Sequence, residues 1–174
     1  HYARGIDLSP VDSEESLNKG YGNSITLAKD IDSLEEADHV LISLSEMVAS
    51  RLRKNHVRCS CICVEFKGRD CRRSTPQRKL RTPTDITDEI SRTARELYRE
   101  NYADRPVRLI GVRATDITRE EFAQLDLFEQ EKKEKLRKLD ASIDKIRKKF
   151  GKDSIQRASF LKGDIDHMTG GHRE

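Results

Sequence analysis

The chain has 174 residues, 34% hydrophobic and 37% charged, enough for one compact domain of about 100 residues with polar appendages and too little apolar content for two full cores. The formal net charge of +3 hides a segregation: residues 1–50 carry 3 Lys/Arg against 10 Asp/Glu, whereas residues 51–81 carry 11 against 2. No apolar run reaches membrane-spanning length or resembles a signal peptide, and the first residue is His1. The expectation is a soluble, cytoplasmic, monomeric piece of a longer protein, with no membrane partner. Its basic stretch is placed to meet a polyanion.

Residues 1–20 lack periodicity, carry Pro10 and several acids, and read as an exposed linker. Order is expected from about Gly22, where Ser24-Ile25-Thr26-Leu27 alternates polar and apolar residues as a half-buried strand does. Ser33 with Glu36 forms a capping box, and Leu34, Ala37, Leu41, Leu44, Val48 and Leu52 follow at helical spacing to about Asn55. From Val57 to Lys67 the period drops to two. Ser60, Ile62, Val64 and Phe66 are expected to face a core, with Cys59, Cys61, Cys63, Glu65 and Lys67 on the other side.

A turn at Gly68-Arg69-Asp70 leads to a polar, basic return strand over residues 71–81, which Pro76 confines to a sheet edge or a bulge. Ile86, Ile90, Ala94, Leu97 and Tyr98 mark a second amphipathic helix, and Val107 to Val112 a final strand. The predicted order is β-α-β-β-α-β, an α+β domain over residues 21–118. Its four-stranded, mainly antiparallel sheet carries both helices on one face and leaves the other open. Beyond it, Leu136, Leu139, Ile143, Ile146 and Phe150 give residues 129–150 an apolar helical stripe, expected to dock on a neighbouring surface. Residues 151–174 read as a tail.

Cys59, Cys61 and Cys63 alternate, and in an extended strand such side chains project in parallel roughly 6.5–7 Å apart, too far to share a tetrahedral zinc ion. With Cys71 they are expected to be reduced thiols, with no metal site. No nucleophile and base pair, phosphate-cradling glycine loop or acidic metal cluster is visible, so no catalytic residue is assigned and no cofactor is expected in this piece.

Gln124-Leu125-Asp126-Leu127-Phe128 has two readings. Leu125 and Phe128, three apart, suit the inward face of one helical turn. Alternatively, Leu127 and Phe128 anchor in an apolar pocket of a partner while the Gln124 amide bonds at its rim. The segment matches the Q-L-[SD]-L-F peptide with which bacterial DNA polymerases hold the ring-shaped sliding clamp, and residues 119–128 are read as a clamp-binding segment.

Taken in order, the pieces resemble the Y-family DNA polymerases, the lesion-bypass enzymes of the DNA polymerase IV and UmuC type. Tyr2 to Val11 resembles the exit from that family's thumb domain. Gly20-Tyr21-Gly22-Asn23-Ser24-Ile25-Thr26-Leu27 is similar to its S-x-G-x-S-x-T-L strand, with Gly20 in place of the usual Ser. Leu80 to Asp85 and Val107 to Val112 are similar to its later strand boundaries. The resemblance implies the little finger, the DNA-binding domain of an error-prone translesion polymerase, with a tail for the bacterial sliding clamp. It places the palm carboxylates and their two Mg²⁺ ions before His1, so this piece should be inactive alone.

The implied ligand is double-stranded primer-template DNA held by its phosphates. The residues expected to hold it are Lys67, Arg69, Arg72 and Arg73 at the hairpin and Gln77, Arg78, Lys79 and Arg81 on the return strand. Ser24 and Thr26 join them from the first strand. A non-catalytic protein-protein interaction module with incidental nucleic-acid affinity is the alternative.

Overall fold

The computed structural model describes residues 2–5, 18–102, 105–119 and 127–162. Five strands and three helices follow a short 3-10 turn at Tyr2–Arg4: β1 Gly20–Ile31, α1 Leu34–Lys54, β2 Arg58–Gly68, β3 Arg73–Ser74, β4 Gln77–Thr84, α2 Thr87–Asn101, β5 Val107–Thr118 and α3 Leu127–Phe150. A second 3-10 turn spans Ala158–Lys162. Among the described residues no helix is long and apolar enough to cross a membrane.

The sheet is antiparallel throughout, in the order β1-β5-β2, with β3 and β4 both on the far edge of β2. Five strands form instead of the expected four because Pro76 interrupts the return strand: having no N–H, it only accepts, its carbonyl taking the Val64 N–H at 2.9 Å. β5 outruns its expected end by six residues, from Val112 to Thr118.

Alternation divides the faces. Ile62, Val64 and Phe66 of β2 stand beside Ala114, Val112 and Ile110 of β5, all turned to the helices. Against them pack Val40, Leu41, Leu44, Val48 and Leu52 of α1 and Ile90, Ala94, Leu97 and Tyr98 of α2. Phe66 meets Tyr98 edge-on with ring centroids 5.1 Å apart, a geometry that suits the aromatic quadrupoles. At the start of α1 the Ser33 hydroxyl accepts the Glu36 N–H at 3.1 Å, as the capping box requires, but the Glu36 carboxylate turns to Lys29.

Three expectations about β2 change, the first being that Cys61, on the side read as outward, is buried. Cys59 is fully buried in the core, not outward, with its thiol 3.4 Å from the Thr84 carbonyl. β4 places five residue steps, Lys79 to Thr84, against two on β2, Cys61 to Cys59, a bulge beside this end of the strand. Ser60, expected in the core, is half-buried. Burial pushes the Cys59 thiol up from its ordinary 9.0 to about 12.

The C-terminal helix docks on the helical layer, but through charge. Arg53 of α1 reaches α3 with Nε 2.6 Å from Asp144 and Nη1 3.1 Å from Asp140, and it also donates to the Asp85 carbonyl and the Thr87 hydroxyl. Asp140 in turn accepts the Thr87 N–H at 2.9 Å. Because the N-cap residue of α2, Ile86, has no side chain to offer, a carboxylate from another helix caps it. Glu46, buried on α1, holds Arg147 and Arg157. Of the expected docking stripe, Leu136 and Ile143 are half-buried, while Leu139, Ile146 and Phe150 remain exposed. Part of the expected tail is packed: Phe160 is buried against His39.

Candidate nucleic-acid interface

Among the described residues no helix covers the other face of the sheet, and the strand registers dictate what lines it. One row across the sheet reads Gly22, Arg113, Cys63 and Gln77. A second reads Thr26, Leu109, Lys67 and Arg73. Between them lie Ser24, Gly111 and Glu65, and beyond the first lie Gly20, Thr115, Cys61 and Lys79. Glycines and short side chains hold the floor low, leaving a shallow open depression of about 730 Å³ edged by Arg73, Gln77 and Arg113. Gly111 is required there, because a Cβ would sit 2.9 Å from the Cβ of Ser24 on the next strand.

The expected binding residues separate into three groups. Ser24, Thr26, Lys67, Arg73, Gln77 and Lys79 share the open face. Arg81, two residues beyond Lys79, is exposed near its end. Arg69 and Arg72 flank the β2–β3 turn at the sheet margin, paired with Asp30 at 2.9 Å and Asp70 at 3.5 Å. Arg78 pairs across the ladder with the inward residue Ile62. It therefore turns to the helices, bonding Glu96 at 2.8 Å and Glu100 at 2.6 Å on α2. The hydrogen bond from Arg78 to Glu100 raises the pKa of the guanidinium further. Period two already assigns Arg78 the side opposite Gln77 and Lys79, so a site built on this face excludes it.

Arg113, which is not among the expected residues, occupies the middle of the face. Its signal lies in the alternation: with Ile110 and Val112 inward, one more residue puts Arg113 outward. Among the described residues, Lys67, Arg81 and Arg113 form no ion pair with a carboxylate. Arg73 is paired with Glu65 at 2.7 Å and Lys79 approaches Asp116 at 3.9 Å. The Cys63 thiol lies within the field of Arg113, but its pKa is raised because burial outweighs that pull. Among the described residues no cluster of three or more His, Cys, Asp or Glu could hold a metal ion. The open face thus gathers cations from β2, β4 and β5 around a low floor.

Of the expected clamp-binding peptide, Gln124, Leu125 and Asp126 lie outside the described residues, and the backbone of Leu127 and Phe128 begins α3.

The profile described as impB/mucB/samB family C-terminal domain matches residues 18–127. The chain is 33% identical over 171 residues to DNA polymerase IV 1 of Bacillus subtilis (strain 168), covering 97% of this chain and 41% of that protein. It is 36% identical over 162 residues to DNA polymerase IV of Bacillus anthracis, covering 91% and 39%. The chain spans about two-fifths of the length of these curated relatives. A solved structure, the post-insertion binary complex of Dbh DNA polymerase, shares the fold with a TM-score of 0.51 and 21% identity over 67% of this chain and 33% of that one. Over residues 18–127 the chain carries the impB/mucB/samB family C-terminal domain, and it belongs to that family of Y-family DNA polymerases.

Proposed function

We propose that this chain is the little finger of an error-prone translesion DNA polymerase, gripping primer-template duplex through its phosphates and tethering the enzyme to the sliding clamp. The observation that carries the grip is the low open sheet face, with Arg113 at its centre and Lys67, Lys79 and Arg81 around it. Among the described residues no helix competes for that face. Lysine and arginine contacts to phosphate release condensed counterions whatever the base sequence. A polymerase that must hold a duplex beside a deformed base pair needs a grip of that kind.

Small side chains and glycines on the floor suit a backbone that must approach closely. Among the described residues they offer no aromatic platform for stacking bases, since Phe66, Tyr98 and Tyr21 all lie in the core. The clamp half of the proposal rests on the Gln124 to Phe128 sequence and on membership of a polymerase family. Tethering would raise the local concentration at the primer end, so a modest peptide affinity suffices. The two Mg²⁺ ions of nucleotidyl transfer would be held by palm carboxylates elsewhere in the polymerase.

The test is duplex binding at several salt concentrations, for the chain as given and after Lys67, Arg69, Arg72 and Arg73 are all changed to Ala. The fourfold variant should bind more weakly on every sequence with a shallower salt slope, by about 0.9 for each phosphate that is no longer neutralised. An unchanged slope would remove the hairpin from the grip, and duplex binding by the unsubstituted chain that does not depend on salt would remove DNA from the proposal. A protein-interaction module would instead lose a protein partner with no salt-linked change on duplex.

A further inference from the structure

We propose that Glu65 sets the strength of the duplex grip, acting as an internal counterion that occupies Arg73 on the open face. The inference rests on the phosphate-binding reading above. Glu65 is the sole carboxylate lining the central depression among the described residues. Its neighbour across the ladder is Gly111, which has no side chain to shield it. Its carboxylate lies 2.7 Å from Nη2 of Arg73, and the arginine side chain remains 55% exposed.

A surface shaped only to attract phosphates would not carry a carboxylate at this point. Paired, Glu65 and Arg73 present a dipole with no net charge, and an incoming phosphate meets it instead of a free guanidinium. The fork geometry of arginine leaves donors on the outer side, so Arg73 can bridge its own carboxylate and a phosphate at reduced net attraction. Such a contact holds a duplex without locking it, as an enzyme that must translocate and hand over its substrate requires. The other acids near basic residues differ in place: Asp30, Asp70 and Asp116 pair with Arg69, Arg72 and Lys79 and do not line the depression.

Glu65→Gln removes the charge and keeps a carbonyl oxygen for Arg73. It should tighten duplex binding about three- to tenfold near 0.1 M salt and steepen the salt slope toward that of about one more phosphate contact. Arg73→Ala leaves the carboxylate bare before the phosphates and should weaken binding. Adding Glu65→Gln to Arg73→Ala should recover most of the loss. Glu65→Thr, a second uncharged variant suited to a strand, should change affinity in the same direction as Glu65→Gln, with folding checked by thermal melting.

Should the uncharged variants bind no tighter, or should the double variant bind no better than Arg73→Ala, Glu65 is not a counterion of this kind and the inference is overturned while the DNA grip stands. Absence of salt-dependent binding by the unsubstituted chain would remove the grip itself and this inference with it.

Discussion

Arg113 and Arg78 are both arginines on strands of one sheet, yet the two faces give them opposite roles. Arg113 stands on the open face between Gly22 and Cys63, with no carboxylate partner among the described residues. Arg78 lies on the helical face, held by Glu96 and Glu100. Replacing Arg113 with Ala should remove about one phosphate contact and lower the slope of log K against log salt by about 0.9. One decade of salt below 1 M multiplies the affinity by 10 to that power per contact, so at 0.1 M the loss should be about eightfold.

Arg78→Ala should leave slope and affinity unchanged. Its two ion pairs are partly exposed, and their loss should cost at most about 1 kcal/mol of stability. Fluorescence anisotropy with one labelled duplex, read at four or five salt concentrations, measures both variants. Equal loss from the two would mean that the anion meets the edge or the helical face. Loss from Arg78→Ala alone would invert the assignment of faces.

Three further outcomes follow from the same geometry. Leu127→Ala with Phe128→Ala should abolish retention on immobilised bacterial clamp while leaving duplex affinity nearly intact, and wild-type retention of that variant would contradict the tether. Arg53→Gln leaves Asp140 and Asp144 facing each other without their shared cation, in a site where Arg53 is only 12% exposed. It should cost about 3 kcal/mol, seen as a lower urea midpoint or faster amide exchange in α3, and a cost below about 1 kcal/mol would mean that α3 docks by other contacts. The Cys59 thiol holds its proton more tightly folded than unfolded, so above pH 9 the unfolded chain is favoured progressively. Stability should fall by about 1.4 kcal/mol per pH unit between pH 9 and about 12, on account of this group. Tyr98, also raised by burial, acts in the same direction. Cys59→Ala should flatten the profile in urea melts, and an unaltered profile would show that the thiol does not titrate on unfolding.

Strand alternation and helical spacing carried most of the fold because each buried face repeats a local period. Ile62, Val64 and Phe66 declare the inward side of β2 by themselves, as Leu41, Leu44, Val48 and Leu52 declare that of α1. Cys59 broke its pattern because a bulge is set by the length of the partner strand, and nothing in Cys59-Ser60-Cys61 records that β4 carries surplus residues. Arg78 and Arg113 departed from expectation for another reason. Composition groups the cations by proximity along the chain, whereas the site is assembled by register, which sends Arg78 away and brings in Arg113 from a strand about 35 residues later. The pairing of Arg73 with Glu65 was beyond reach, since a basic stretch can be counted but its internal counterions depend on which strands lie side by side.

The same distinction explains α3, whose apolar stripe suggested a hydrophobic dock and whose contact is ionic instead. Arg53 and Glu46 lie seven residues apart on α1, two helical turns, and therefore on one face. Asp140, Asp144 and Arg147, spaced by four and three on α3, meet them in complementary order. Desolvating these charges is costly, and burying Leu139, Ile146 and Phe150 instead would give greater stability. What the ionic contact adds is register: sliding α3 by one turn would set Asp144 against the buried Glu46 or, in the other direction, Arg147 against Arg53, while an apolar stripe would tolerate the slip. The residues that begin α3, Leu127 and Phe128, are the anchors of the proposed clamp peptide. A helix held in fixed register therefore holds the end of that tether at one place on the domain.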